Sequence, residues 1–115
     1  MFLELLKSWS ASVFIINDDE NTSSVDNLNR LINQFIKNKR VDAIFTCGSS
    51  RILKLLKDIC EQYNIPGQVA LEQQMACGIG MCFCCVKPFR INGKIVQKRV
   101  CNEGPVFNIS EALPW

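Results

Sequence analysis

The stretch AIFTCGSSRILKLLKDICEQYNIPG, residues 43–67, contains a strand, a turn and a helix in sequence. Residues 43–46 are a short apolar run, as expected for a buried strand of a parallel sheet. Residues 47–50 turn the chain, and Ser49 or Ser50 can cap the helix that follows. The apolar residues of this helix recur at helical spacing: Ile52, Leu55, Leu56, Ile59 and Tyr63. The NIPG sequence at 64–67 then ends the helix.

The flanking residues extend this pattern in both directions. Residues 13–16 (VFII) are β-branched and aromatic and predict a buried strand that leaves into a polar loop. Residues 25–36 place their apolar residues on one helical stripe, and residues 69–71 predict a third short strand. The order β-α-β-α-β predicts an α/β fold, with a small parallel sheet and flanking helices.

The alternation of strand and helix stops at Glu72, and a cysteine-dense loop follows. Asn92-Gly93 separates two apolar stretches, 89–91 and 94–96, and this dipeptide is a strong signal for a β-hairpin turn. We therefore predict two domains. Residues 1–72 would form a partial nucleotide-binding-like β-α-β domain, and residues 73–115 a small cysteine-rich β-hairpin module.

Composition excludes several classes of protein. A chain of 115 residues with 48% hydrophobic content has room for one modest core and a small satellite module. The net charge of +2 argues against nucleic-acid binding. No apolar run approaches the about 18 to 20 residues of a membrane span, and the MFLELLKSWS start does not resemble a secretory signal. The sequence therefore predicts a cytoplasmic protein without membrane contact.

The chain has seven cysteines and no histidine, so any metal site depends on sulfur ligands. Cys77, Cys82 and Cys85 have the spacing C-x4-C-x2-C, and Cys101 follows at a distance. This is the spacing of a plant-type [2Fe-2S] cluster, which takes two thiolates on each iron. Gly78 and Gly80 can adopt positive φ and turn backbone N–H groups toward the inorganic sulfurs of such a cluster. With four protein ligands no coordination site stays open, so the predicted role is electron relay.

Other interpretations of the same cysteines stay open. Four cysteines can also hold a structural zinc ion, which would make the chain an interaction module without redox activity. A ligand set using Cys84 would have the spacing C-x4-C-x-C, which does not correspond to a known kind of metal site. We therefore interpret Cys84 as a spare thiol beside the cluster. Cys60, within an amphipathic helix, is interpreted as a core residue. Cys47 and Gly48 end a predicted strand, where α/β sheets bind cofactors, but the pattern alone favours a simple turn with a serine cap and a small buried cysteine.

Two segments, LEQQMACGIGMCFCC and VCNEGPVF, resemble the carboxyl-terminal part of a known family. This is the electron-transfer subunit of type B dihydroorotate dehydrogenase and its iron–sulfur flavoprotein relatives in the ferredoxin reductase superfamily. The family pattern LExxMACGxGxCxxC, followed by a cysteine before GPVF, matches Leu71, Glu72, Met75, Ala76, Cys77, Gly78, Gly80, Cys82, Cys85, Cys101, Gly104, Pro105, Val106 and Phe107.

The resemblance implies a [2Fe-2S] cluster on Cys77, Cys82, Cys85 and Cys101. In this family the cluster would lie between an FMN in a catalytic subunit and an FAD, and it would pass single electrons toward NAD+ in pyrimidine biosynthesis. The FTCG sequence at 45–48 resembles the strand and turn of the family's nicotinamide domain, which implies that Cys47 and Gly48 contact flavin or nicotinamide. Ser49 stands where a proline commonly follows in the family.

The resemblance also implies partners. Family members ordinarily begin with a flavin-binding β-barrel, which has no counterpart in this sequence. FAD would therefore be held with the help of a partner chain, either a flavin-containing catalytic subunit or a second flavoprotein chain, and the chain could also form a homo-oligomer. A self-contained flavin or NAD reductase is the remaining alternative.

Overall fold

The computed structural model of the chain describes residues 2–17 and 23–115. The helices in these ranges are α1 (Phe2–Ser8), α2 (Val25–Asn38), α3 (Ser50–Tyr63) and α4 (Val100–Glu103). The strands are β1 (Ile44–Cys47), β2 (Gly67–Ala70), β3 (Val86–Ile91), β4 (Lys94–Arg99) and β5 (Val106–Asn108). None of the helices in the described ranges is long and apolar enough to cross a lipid bilayer.

The main sheet has three strands in the order β1-β2-β5. Strands β1 and β2 are parallel, as predicted, with Ile44 opposite Gly67 and Cys47 opposite Ala70. Helix α3 connects them, which completes the predicted strand–helix–strand unit. The strand predicted at residues 69–71 corresponds to β2, but the sheet also contains β5, which was not predicted and which pairs with β2 in antiparallel orientation. The sheet is therefore mixed, and the prediction of a wholly parallel sheet is wrong.

The predicted strand at residues 13–16 is also wrong, since these residues form no strand in the structure. Phe14 and Ile15 expose 62% and 63% of their surface. The Phe14 ring meets Phe35 of α2 edge-on, with centroids 5.9 Å apart. Phe14 therefore contacts a helix, and the segment does not pair with β1 as a strand. The polar loop predicted after it includes residues 18–22, which lie outside the described residues.

One hydrophobic core joins α3, the sheet and the carboxyl-terminal half of the chain. Helix α3 contributes Leu53, Leu55, Leu56, Ile59 and Cys60. The other members include Val69 of β2, Phe89 of β3, Val100 of α4 and Phe107 of β5. Cys60 is buried, as predicted, and burial raises the pKa of its thiol. Residues from both sides of residue 73 therefore share this core.

The hairpin predicted at Asn92-Gly93 is present as β3 and β4. The two strands pair in antiparallel register from Val86 opposite Arg99 to Ile91 opposite Lys94. Asn92 and Gly93 have φ values of 51° and 77°, the left-handed conformation that a two-residue hairpin turn requires. The backbone N–H of Arg90 donates to the Glu111 carbonyl at 2.7 Å, which attaches the hairpin to the carboxyl-terminal segment.

The prediction of helix capping is borne out for position but not for chemistry. Ser49 is the N-cap residue of α3, yet its side chain makes no capping hydrogen bond. Ser50 Oγ instead accepts a hydrogen bond from the backbone N–H of Trp115, at 3.0 Å. A side chain in the first turn of α3 therefore binds the backbone of Trp115 instead of capping the helix.

Gly67, where β2 begins, lies in close contact with the core. A Cβ at this position would lie 2.8 Å from Cys60 Sγ and 2.8 Å from Ile109 Cγ2. We expect Gly67→Ala to lower the free energy of unfolding by about 1–3 kcal/mol, since both neighbours would have to move. Urea unfolding of the full chain measures this. Gly48→Ala is the matched control, because its Cβ would have neighbours no closer than 3.9 Å; an equal loss in both variants would contradict the prediction.

Candidate metal centre

The cysteine loop, residues 71–85, runs from the end of β2 to the start of β3 without regular secondary structure. Its turns depend on positive φ values at Gly78 (68°) and Gly80 (82°). These turns direct the backbone N–H groups of Met81 and Cys82 toward Cys77 Sγ, to which they donate at 3.3 and 3.4 Å. The two glycines have the positive φ values that the sequence predicted. The N–H groups that follow them point at a cysteine sulfur, whereas we expected such groups to point at the inorganic sulfurs of a cluster.

Cys85 and Cys101 form a second pair, which the hairpin brings together. Cys85 immediately precedes β3, and Cys101 lies in α4, directly after β4. The backbone N–H of Cys101 donates to Cys85 Sγ at 3.4 Å, and the N–H of Val100 donates to the Cys85 carbonyl at 3.2 Å. Cys85 is buried and Cys101 is partly buried. The fourth cysteine thus lies on a short helix.

The hydrogen bonds change the acidity of these thiols. Donation from the Cys82 and Ile79 N–H groups, and then from the Cys82 thiol, lowers the pKa of Cys77 to about 6. Donation from the Cys101 N–H likewise lowers the pKa of Cys85. The pKa of Cys101 is raised, first because its thiol donates to Cys85, then by desolvation and by the charge on Cys85. The thiolate is the metal-binding form of cysteine, so Cys77 is prepared for ligation near neutral pH.

The four predicted ligands thus lie as two pairs, Cys77 with Cys82 and Cys85 with Cys101. Across residues 2–17 and 23–115, no group of three or more Cys, Asp or Glu side chains is arranged so that it could hold a metal ion. The donor set is all sulfur, and backbone N–H groups point at it. An iron–sulfur group needs this combination of thiolate ligands and N–H···S hydrogen bonds, so these residues fit such a group.

The other cysteines considered above lie outside both pairs. Cys84 is exposed, and its backbone N–H donates to Cys82 Sγ at 3.5 Å. Cys47 is exposed at the carboxyl end of β1, where it is paired with Ala70 of β2. Gly48 follows Cys47 and leads into α3. Cys47 and Gly48 therefore lie at the sheet edge from which the cysteine loop departs, because that loop begins after Ala70.

Arg99 contacts the cysteine loop and Glu103 binds Arg99, and sequence reasoning missed both residues. Arg99 Nη1 donates to the carbonyl of Gly80 at 3.0 Å. Glu103 Oε2 accepts from both the backbone N–H and the Nε of Arg99, at 2.7 and 3.2 Å, and these donors lower the pKa of Glu103. The i,i+4 spacing of an arginine and a glutamate around Cys101 was the available signal.

Comparison with known proteins identifies relatives of this centre. Residues 72–112 match the family described as the iron–sulfur cluster binding domain of dihydroorotate dehydrogenase B. The chain is 42% identical over 73 residues to the electron transfer subunit of dihydroorotate dehydrogenase B (NAD(+)) of Caldanaerobacter subterraneus subsp. tengcongensis, which covers 64% of this chain and 30% of that protein. The resemblance to this subunit family is confirmed.

The electron transfer subunit of Desulforamulus reducens extends the match further along the chain. It is 31% identical over 97 residues, which are 84% of this chain and 37% of that protein. The chain therefore spans about a third of the length of these relatives, 30% and 37% in the two cases.

A solved structure shares the fold. It is the NADH-dependent reduced ferredoxin–NADP oxidoreductase studied for flavin-based electron bifurcation, with a TM-score of 0.61 and 23% sequence identity. The match covers 76% of this chain and 30% of that chain. At this level of identity the likeness concerns the mixed α/β fold alone.

Proposed function

We propose that this chain is a [2Fe-2S] electron-transfer protein or subunit that relays electrons between flavin centres. The observation that carries the proposal is the arrangement of the four cysteines as two pairs: two N–H groups donate to Cys77 Sγ in the first pair, and one donates to Cys85 Sγ in the second. A binuclear cluster needs two thiolates on each iron. Cys77 and Cys82 would hold one iron, and Cys85 and Cys101 the other.

The residues around the pairs suit a relay. When bound, a cluster with four protein ligands exchanges one electron at a time and makes no bonds to a substrate. The N–H groups of Met81, Cys82 and Cys101 would stabilise the added negative charge of the reduced state, because each points its positive end at a ligand sulfur. This chain would therefore supply ligands and tune the potential, while substrate chemistry takes place elsewhere.

The relatives suggest the wider system. They are electron transfer subunits of dihydroorotate dehydrogenase B (NAD(+)), and we propose a corresponding flavin-containing catalytic subunit or second flavoprotein chain as partner here. FAD would be held largely by that partner, and Cys47 and Gly48 would face the flavin or nicotinamide. Residues 73–115 would act as the cluster-binding unit and residues 1–72 as the partial nucleotide-binding-like unit. The cytoplasmic location and a homo-oligomer stay predictions.

The test is a visible absorption and EPR spectrum of anaerobically purified protein, before and after dithionite, with analysis of iron, sulfide, zinc and flavin. We expect a red-brown protein with about two irons and two sulfides per chain and a rhombic EPR signal after one-electron reduction. A colourless protein with about one zinc per chain would overturn the proposal in favour of a structural module. Tight, stoichiometric flavin would instead support a self-contained reductase.

Metal removal should loosen the cysteine loop and spare the core. Met81, Cys82 and Cys84 are exposed residues whose backbone N–H groups bond to sulfur, whereas Val69 and Phe107 are buried in the sheet. After chelation we expect amide exchange in residues 75–84 to accelerate at least about tenfold, with little change in β2 and β5. Hydrogen exchange followed by mass spectrometry measures both regions. Equal acceleration in the sheet would contradict the prediction.

A further inference from the structure

Arg99 joins two parts of the metal centre that are distant in the sequence. It is the last residue of β4 and precedes Cys101 by two positions. Its guanidinium donates through Nη1 to the carbonyl of Gly80, 3.0 Å away. Gly80 lies between Cys77 and Cys82, so this hydrogen bond connects the loop of the first thiol pair to the element that carries Cys101. It is the kind of charge-assisted contact that contributes more than an ordinary hydrogen bond.

The loop lies close against α4 at this point. Gly80 is buried, and a Cβ there would lie 3.1 Å from Asn102 Cβ and 3.4 Å from Arg99 Nη1. With its φ of 82°, Gly80 fills a position that other residues adopt only with strain. The next two residues, Met81 and Cys82, are those whose N–H groups donate to Cys77 Sγ. The position of Gly80 therefore sets the direction of both donors.

The guanidinium of Arg99 is itself held in place. Glu103, one turn along, accepts from its Nε at 3.2 Å and from the Arg99 backbone N–H at 2.7 Å. The ring of Phe83 in the cysteine loop lies 5.3 Å from the guanidinium carbon. The side chain is about one third exposed, at 31%. Contacts on three sides fix its orientation, which leaves Nη1 directed at the loop.

We propose that Arg99 is a positioning residue for the cysteine centre. It holds the Gly80 carbonyl against α4, and it thereby fixes the two N–H groups that donate to Cys77. Its permanent positive charge also favours the reduced, more negative state of a cluster bound by these cysteines. This inference rests on the proposed function. It assigns two separable effects to Arg99: its hydrogen bond to Gly80 slows loss of the cluster, and its positive charge raises the reduction potential of the cluster.

Arg99→Gln and Arg99→Lys separate these effects in the iron-loaded full chain. Glutamine removes the charge and has a shorter side chain, so the hydrogen bond to the Gly80 carbonyl is lost, while lysine keeps the charge but lacks the planar donor fork. Two quantities are measured: the rate of iron loss to a chelator, and the reduction potential from an EPR-monitored titration. Arg90→Gln is the matched control, because Arg90 is an exposed residue of the same hairpin and loses the same charge.

For Arg99→Gln we expect iron loss about tenfold faster than in the unmodified protein, together with a more negative potential. For Arg99→Lys we expect faster iron loss with a potential close to that of the unmodified protein. Arg90→Gln should change neither quantity. If Arg99→Gln is too unstable to purify, the rate of iron loss is measured on Arg99→Lys and Glu103→Gln instead. Each of these substitutions weakens the hydrogen bond between residue 99 and the Gly80 carbonyl, so each should lose iron faster.

Two results would overturn the inference. One is an Arg99→Gln protein that keeps both its iron and its potential, and the other is an Arg90→Gln protein that shifts by as much as Arg99→Gln. Either would leave the proposed function standing, because the unmodified protein would still hold its cluster. Absence of iron from the unmodified protein would be a different outcome, which contradicts the proposed function itself.

Discussion

Cys101→Ser is expected to abolish or shift the visible and EPR spectrum of the iron-loaded protein, with loss of most of its iron. Serine supplies a neutral hydroxyl at pH 7 where the cluster needs a thiolate, and soft iron–sulfur centres prefer sulfur to oxygen. The substitution would leave Cys85 without its partner ligand. The backbone N–H of residue 101 still donates to Cys85 Sγ, so the change is confined to the ligand atom.

Cys84→Ser is the matched control, because it makes the same chemical change in the same region of the chain. Cys84 is exposed and enters the centre only through its backbone N–H, which serine retains. We expect its spectrum to remain nearly intact. Iron analysis, absorption and EPR on both proteins measure the difference. Cluster loss in Cys84→Ser with retention in Cys101→Ser would show that the ligand assignment is wrong.

Phe89→Ala is expected to lower the free energy of unfolding by about 3–5 kcal/mol, the range for truncating a buried aromatic side chain. Phe89 is fully buried, with 0% of its surface exposed. Its ring lies 4.6 Å from that of Phe107 in β5, and its backbone bridges Ala112. Removing it would open a cavity where the hairpin meets the main sheet. Domains of this size have only about 5–15 kcal/mol of stability, so much of it would be lost.

Thermal unfolding of the iron-loaded protein measures this loss, and we expect a Tm lowered by roughly 10–20 °C. Phe2→Ala is the control for the loss of a phenyl ring, since Phe2 exposes 75% of its surface on α1. It should change stability by less than about 0.5 kcal/mol. A Phe89→Ala protein as stable as Phe2→Ala would mean that the hairpin does not pack on the sheet as described.

The sequence predicted those elements whose signals are local. The strand–turn–helix unit at 43–63 and the Asn92-Gly93 hairpin both follow from short stretches that specify their own conformation. The register of the hairpin also implies the second thiol pair. Because Val86 lies opposite Arg99, Cys85 lies beside the start of α4, which carries Cys101. Counting back from the turn would have predicted this pairing.

The errors concern choices between distant parts of the chain. Residues 13–16 have the composition of a strand, but whether they pair with β1 or pack on α2 depends on tertiary contacts. Strand β5 has only three residues, and its partner β2 lies far away in the sequence. The role of Arg99 was hidden for the same reason, because the path of the cysteine loop decides that Gly80 lies within its reach.

The chain leaves the main sheet after Ala70 and re-enters it at Val106, and these two residues are direct partners in the β2–β5 pair. The backbone N–H of Leu71 donates to the Pro105 carbonyl at 3.0 Å, so the first and last residues of the intervening segment, 71–105, are hydrogen-bonded to each other. Its two ends are thus a single strand spacing apart, about 4.8 Å. Residues 71–105 therefore form an insertion that begins and ends on adjacent strands, and such an insertion could be placed between two neighbouring strands of another sheet. The accepting protein would need an apolar cavity for Phe89 and Val100, because in this chain both side chains are buried in the core shared with the main sheet.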